Sequence, residues 1–166
     1  MSNRKKFENH ALNLSKLNGN LLSLEMAARL AIVKYDKHLA SKVFTQLPQV
    51  KKGDHVEFNA FTNADDLKQT LDKSNKRAPN EYRVDIAAIV NLRDALAHGR
   101  TFGFGGMDCL RLLKFSRKQR DGTVEVELAQ DMNEAWFQNN IELLNKALDK
   151  VTAALDYDKM HTCLIL

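Results

Sequence analysis

Cysteine and proline each occur only twice in this 166-residue chain, and glycine seven times. The two cysteines, Cys109 and Cys163, have neither a CxxC spacing nor the density of a disulfide scaffold, so the expected compartment is a reducing one, the cytoplasm. With so little proline and glycine, long stretches go unpunctuated. A composition of 44% hydrophobic and 28% charged residues fits a helix-rich globular domain rather than a disordered chain. Long apolar runs are also missing: none approaches the roughly 18 residues that a membrane-spanning helix needs. No apolar segment follows Met1-Ser2-Asn3-Arg4-Lys5-Lys6, so neither a membrane partner nor a secretory signal is expected.

The known ligand and nucleophile signatures are equally sparse. His10, His38, His55 and His161 show no paired spacing with cysteine or carboxylates, so no metal and no cofactor is expected. There is no Gly-x-Ser-x-Gly elbow. Gly103-Phe104-Gly105-Gly106 lacks the Gly-Lys-Ser/Thr that completes a phosphate loop, and reads as a flexible connector rather than an anion nest. Cys163-Leu164-Ile165-Leu166 fits a C-a-a-X prenylation pattern but has little basic support upstream, and the preferred reading is a plain apolar tail.

Lysine and arginine number 25 against 21 acidic residues, a formal charge of +4 that tolerates a polyanion without demanding one. The basic runs Arg4-Lys5-Lys6 and Arg117-Lys118-Gln119-Arg120 read as solvated tips.

Leu14, Leu17, Leu21, Leu24, Ala28, Ala31 and Tyr35 recur at spacings of three and four, predicting a long first helix from near Phe7 toward Leu47, ended by Pro48 and with Gly19 as a candidate bend. Lys51-Lys52-Gly53-Asp54 predicts a turn, and Asn63 to Asp72 a short helix capped by Asn63. Ser74 to Asn80 reads as a loop. From Glu81 a second helical pattern runs through Ile86, Ile89, Val90 and Leu96 to Gly99, expected as a left-handed C-cap. Thr101 to Gly106 reads as a connection, and the alternating runs Cys109 to Ser116 and Thr123 to Leu128 as a β-hairpin around Arg120-Asp121-Gly122. Phe137, Ile141, Leu144, Leu148, Val151 and Leu155 predict a last helix from Glu134 to Tyr157, capped by Asp131 or Asn133. No repeat or linker interrupts residues 1–166, so the expected organisation is a single, mainly α domain.

On the helix before Gly99, at about 100 degrees per residue, Tyr82, Ile86, Leu96 and Arg93 fall within roughly 60 degrees of Ile89, while Asn91, Asp94 and His98 fall opposite. The first group should face the core, so Arg93 needs a paired anion, and Glu25, which interrupts the apolar stripe of the first helix, is the expected partner. Asp94 and His98, four apart, are expected to meet, with the carboxylate orienting the ring. A histidine so held could exchange a proton near neutral pH; the plainer reading is a surface His that caps the helix end.

Leu92-Arg93-Asp94-Ala95-Leu96-Ala97-His98-Gly99 resembles the Arg, polar residue, three residues, His motif of HEPN domains, and the long first helix with Leu24-Glu25-Met26-Ala27-Ala28-Arg29 and the long last helix fit the same family. The resemblance implies a HEPN-like antiparallel helical bundle, in which the β-hairpin read above would lie between the third and last long helices. It also implies a metal-independent endoribonuclease, of a toxin, antiviral or RNA-processing kind, whose composite site lies at a homodimer interface. Arg93 would stabilise phosphate charge, and His98 would move a proton as the ribose 2′-hydroxyl attacks. Asp94 stands at the polar position, where Asn is common. Implied partners are RNA, a second copy, and an antitoxin or regulatory protein. The alternatives are a non-catalytic module of the same kind that binds a nucleotide or protein, and an unrelated helical interaction protein.

Overall fold

A computed structural model describes residues 3–35, 49–103 and 107–162. The expected end of the first helix at Leu47-Pro48, part of the Gly103 to Gly106 stretch, and the Cys163 to Leu166 tail lie outside the described residues. The chain is mainly helical with a small three-stranded antiparallel sheet. Its elements are α1 (Asn3–Tyr35), α2 (Leu67–Arg77), a 3-10 turn (Asn80–Tyr82), α3 (Ile86–His98), β1 (Arg100–Phe102), β2 (Arg111–Arg120), β3 (Thr123–Asp131) and α4 (Glu134–Thr162). Among the described residues no helix is long and apolar enough to cross a membrane.

Backbone contacts divide the chain into two compact units. The first holds Met1–Leu21 and Ala87–Leu144, and so contains most of α3, the whole sheet and the start of α4. Its buried side chains are Leu17 and Leu21 of α1, Ile89, Leu92 and Ala95 of α3, Leu112 of β2, then Met132, Phe137 and Leu144. α1 continues through Gly19 without a break, since glycine in a helix interior costs only about 1 kcal/mol of backbone entropy and the position faces open space. Near its start the His10 ring meets Phe137 edge-on at 5.3 Å, and burial there lowers the imidazole pKa. Asn133 is the residue that caps α4, its Oδ1 accepting from the Trp136 amide at 2.9 Å.

β2 and β3 turn through Asp121 and Gly122, both with positive φ (49° and 75°), the backbone of a tight two-residue hairpin loop. The strands reach past the expected bounds, to Arg120 and Asp131. β1 is an addition: Arg100, Thr101 and Phe102 pair with Leu113, Leu112 and Arg111, so the stretch read as a connector begins as a strand. Local sequence hides it, since three residues followed by glycine become a strand only when β2 supplies the partner.

The second unit holds Leu22–Ile86 and Asn145–Leu166. Its core includes Leu24, Ala28, Ala31, Val33, Leu67, Leu71, Val84, Val151 and Ala154. Lys51 to Asp54 turns as expected, closed by the Asp54 amide donating to the Lys51 carbonyl and by Gly53 at φ 98°. α2 starts later than expected and ends later too. Its cap is Asp66, not Asn63: Asp66 and Gln69 form a reciprocal capping box, each side chain accepting from the other's backbone amide. Asn63 is otherwise engaged, because its Oδ1 accepts from Arg29 at 2.8 Å and from the Asp65 amide at 3.1 Å. Past Arg77 the chain is not a free loop. Asn75 exchanges two hydrogen bonds with the Val84 backbone (2.9 and 3.0 Å), and the 3-10 turn Asn80–Tyr82 fills the gap where a continuous helix from Glu81 was expected.

Candidate active site

α3 is built from Ile86-Ala87-Ala88-Ile89-Val90-Asn91-Leu92-Arg93-Asp94-Ala95-Leu96-Ala97-His98, rich in alanine and leucine, the strongest helix formers. Its buried positions are Ile89, Leu92 and Ala95. That face is centred near Leu92, about 60 degrees round from the stripe expected on Ile89. Arg93 therefore stands at the margin of the buried face rather than within it, with its side chain 37% exposed. Its counter-ion is its own neighbour: Arg93 Nη1 lies 2.9 Å from Asp94 Oδ1.

Glu25, the expected partner, is occupied. Its Oε1 accepts from Arg29 Nε at 3.1 Å and Nη2 at 2.9 Å. Arg29 is further held by the Ala60 carbonyl (3.0 Å), the Asn63 carbonyl (3.3 Å) and the Asp65 carbonyl, and so ties the loop before α2 to α1. Asp65 is in turn bound by Lys73, and that hydrogen bond is the main reason its carboxyl pKa is lowered. This cluster uses every group it gathers in holding the loop.

The expected Asp94–His98 contact does not form; among the described residues no hydrogen bond or ion pair joins them. Arg93 has taken the carboxylate. The pair nevertheless redirects the guanidinium. Arg93 and His98 leave the helix about 140 degrees apart, whereas Asp94 leaves about 40 degrees from His98 and one turn before it. Reaching to Asp94 carries the positive charge around toward the side of α3 where Asn91 and His98 are exposed. A half-exposed ion pair contributes little, about 0–1 kcal/mol, so an incoming phosphate can compete for the guanidinium.

The end of the helix is fixed by Gly99. Its amide donates to the Ala95 carbonyl at 2.9 Å, and the chain passes directly into β1. Gly99 does not take the expected left-handed conformation; the positive-φ glycines among the described residues are Gly53 and Gly122. Glycine is needed for space instead. A Cβ there would run into the Ala95 carbonyl oxygen and would lie 2.5 Å from a Leu112 methyl and 3.2 Å from the Leu113 carbonyl oxygen. His98 is thus one residue from a rigid junction between α3 and the sheet.

No family model, curated protein or solved structure matches this chain.

Among the described residues no three His, Cys, Asp or Glu side chains gather as a metal-binding group. Cys109, just before β2, is a poor nucleophile: burial first, then the carboxylates of Asp131 and Asp108, raise its thiol pKa. On α3 the side chains with useful chemistry are the half-exposed Arg93 guanidinium and the exposed His98 imidazole. A guanidinium is shaped to grip phosphate oxygens through paired N–H donors, and an imidazole exchanges protons near neutral pH. Arg100, exposed on β1 two residues past His98, is not among the residues to which the sequence motif points, although its place beside that motif is a signal.

Proposed function

We propose that this chain is a metal-independent endoribonuclease of the HEPN type that works as a homodimer with one composite site. One observation carries the reading: α3 buries one face and presents, on the other, a weakly paired guanidinium drawn toward an exposed imidazole one turn on. His98 takes the proton of a ribose 2′-hydroxyl as that oxygen attacks the adjacent phosphorus. The P–O5′ bond breaks, the departing 5′-oxygen receives a proton, and the products are a 2′,3′-cyclic phosphate and a 5′-hydroxyl. Arg93 offsets the charge that builds on the phosphate oxygens. In-line displacement needs a base at the attacking oxygen and an acid at the leaving one, on opposite sides of phosphorus. One imidazole cannot serve both at once, and two copies of α3 related by a two-fold axis supply a pair.

Single-stranded RNA incubated with the purified chain tests this. We expect cleavage that persists in chelator, a cyclic phosphate on the 5′ fragment, and a loss of about 10²–10⁴-fold for His98→Ala. Arg93→Ala should lose activity while melting close to wild type, because its ion pair is half-exposed and screened by water. Asp94→Asn should stay active. If the wild-type dimer cuts no RNA, or His98→Ala cuts as fast as wild type, the ribonuclease reading falls and a non-catalytic binding module replaces it.

A further inference from the structure

β2 reads Arg-Leu-Leu-Lys-Phe-Ser-Arg-Lys-Gln-Arg from Arg111 to Arg120, with five cations and no acid. The two nearest α3 are neutralised within the sheet: Arg111 lies 3.7 Å from Asp131, and Lys114 3.2 Å from Glu127. The three at the tip, Arg117, Lys118 and Arg120, are exposed and have no acidic partner among the described residues, and neither does Arg100 on β1. Unpaired cations thus begin beside His98 and resume at the far end of β2.

The register explains how the tip presents them. Phe115 pairs with Val126 and Gln119 with Val124, so Ser116, Arg117 and Lys118 of β2 are set against Glu125 alone on β3. The excess is a bulge that holds Arg117 and Lys118, pinned by the Lys118 amide donating to Ser116 Oγ at 3.1 Å. A bulge re-aims side chains that a regular strand would lay flat. Beside it, Phe115, Val124 and Val126 share one face by register and remain exposed, an apolar platform among cations. A basic surface interleaved with an exposed aromatic is the composition that single-stranded nucleic acid selects, because phosphates meet the cations and an unstacked base lies on the ring.

We infer that the β2–β3 hairpin is an arm that binds the single-stranded RNA flanking the scissile phosphate, with Arg117, Lys118 and Arg120 on its backbone and Phe115 under a base. This deepens, and rests on, the ribonuclease reading. Arg100 stands opposite Leu113, and, with the bulge discounted, about five ladder steps of about 3.3 Å carry β2 from there to Arg120. The track is about 17 Å long, on the order of three nucleotides of extended strand. Duplex RNA, whose bases are already stacked, cannot use the Phe115 platform and binds more weakly.

The test measures binding without cleavage, by fluorescence anisotropy of a labelled single-stranded oligoribonucleotide against full-length protein carrying His98→Ala, over a range of salt. Adding Arg117→Gln, Lys118→Gln and Arg120→Gln together should weaken binding about tenfold or more at moderate salt. It should also make the salt dependence of log K shallower by about 2, at about 0.7 for each phosphate no longer neutralised. Phe115→Ala should weaken binding about fivefold or more and leave the salt slope alone, the signature of missing stacking rather than missing charge. Circular dichroism on each variant confirms that the hairpin change has not unfolded the chain. Unchanged affinity and slope in the triple variant overturn the arm, even if the wild type cuts RNA. Conversely, a shallower slope upholds the arm even if the wild type cuts nothing, which would sink only the catalytic reading.

Discussion

Replacing Gly99 by alanine adds one methyl group at the junction of α3 and β1, and the structure leaves no place for it. The new Cβ would overlap the Ala95 carbonyl oxygen, which is already accepting the Gly99 amide, and would sit 2.5 Å from a Leu112 methyl. Carbon pairs rest at about 3.5–4.0 Å, so Leu112 must retreat by about 1 Å or more. It is 1% exposed and has nowhere to go. The Leu113 carbonyl oxygen, 3.2 Å away, belongs to the residue opposite Arg100 and cannot yield without disturbing the β1–β2 pair. Overpacking of a tight site costs about 1–3 kcal/mol, and two backbone obstacles put this one near the top, about 3 kcal/mol. For a chain of this size that is a fall in Tm of about 6–12 °C. Gly19→Ala is the matched control. Nothing lies within 4 Å of its added methyl, and in mid-helix it should gain about 0.5–1 kcal/mol. Thermal melts of both variants by circular dichroism should therefore move in opposite directions. A Gly99→Ala protein melting within a degree of wild type would refute the packing argument, and with it the claim that the junction holds His98 in place.

Two further outcomes follow from the fold. Asp66→Ala removes half of the α2 capping box and should cost about 1 kcal/mol in a denaturant titration, while Asn63→Ala should act through Arg29 instead, loosening the loop without fraying α2. The burial of His10 beside Phe137 sets a pH dependence. Its pKa is lowered in the fold, so the unfolded chain binds the proton more readily. Stability from this residue is full above the ordinary value of 6.5, declines as pH falls below it, and levels off once the folded value is passed. His10→Phe should flatten that part of the stability profile, as read by melts between about pH 5 and 8.

Much of the helical outline was legible because it is local: periodic leucines in α1 and α4, and Asn133 ahead of Trp136. What misled depended on distant partners. Asn63 resembled a cap because it precedes two aspartates, yet Arg29, 34 residues away, claims its amide oxygen. Asp66-Leu67-Lys68-Gln69 did carry a capping-box pattern and could have been preferred. On α3 the large residues Ile86, Ile89 and Leu96 suggested one stripe, but burial selected Ile89, Leu92 and Ala95, so Arg93 moved to the margin and Asp94 became its partner rather than that of His98. Hydrophobicity alone weights bulk; burial follows the surfaces that meet. The requirement for glycine at position 99 was foreseeable, but its cause was not, since crowding by Leu112 and Leu113 comes from residues more than ten positions along the chain.

Among the described residues β3 has a strand neighbour on one side only. Its other margin offers unpaired backbone donors and acceptors, with the exposed valines Val124 and Val126 close by, the ingredients of uncontrolled strand-to-strand association. Glu125 and Glu127 alternate with those valines, and the strand contains no lysine or arginine. When two molecules approach through this margin, carboxylate meets carboxylate, and the repulsion acts before any ladder can close. The acidic residues of β3 thus do more than balance the cations of β2: they line its open margin with like charge, which disfavours edge-to-edge pairing between molecules at high concentration.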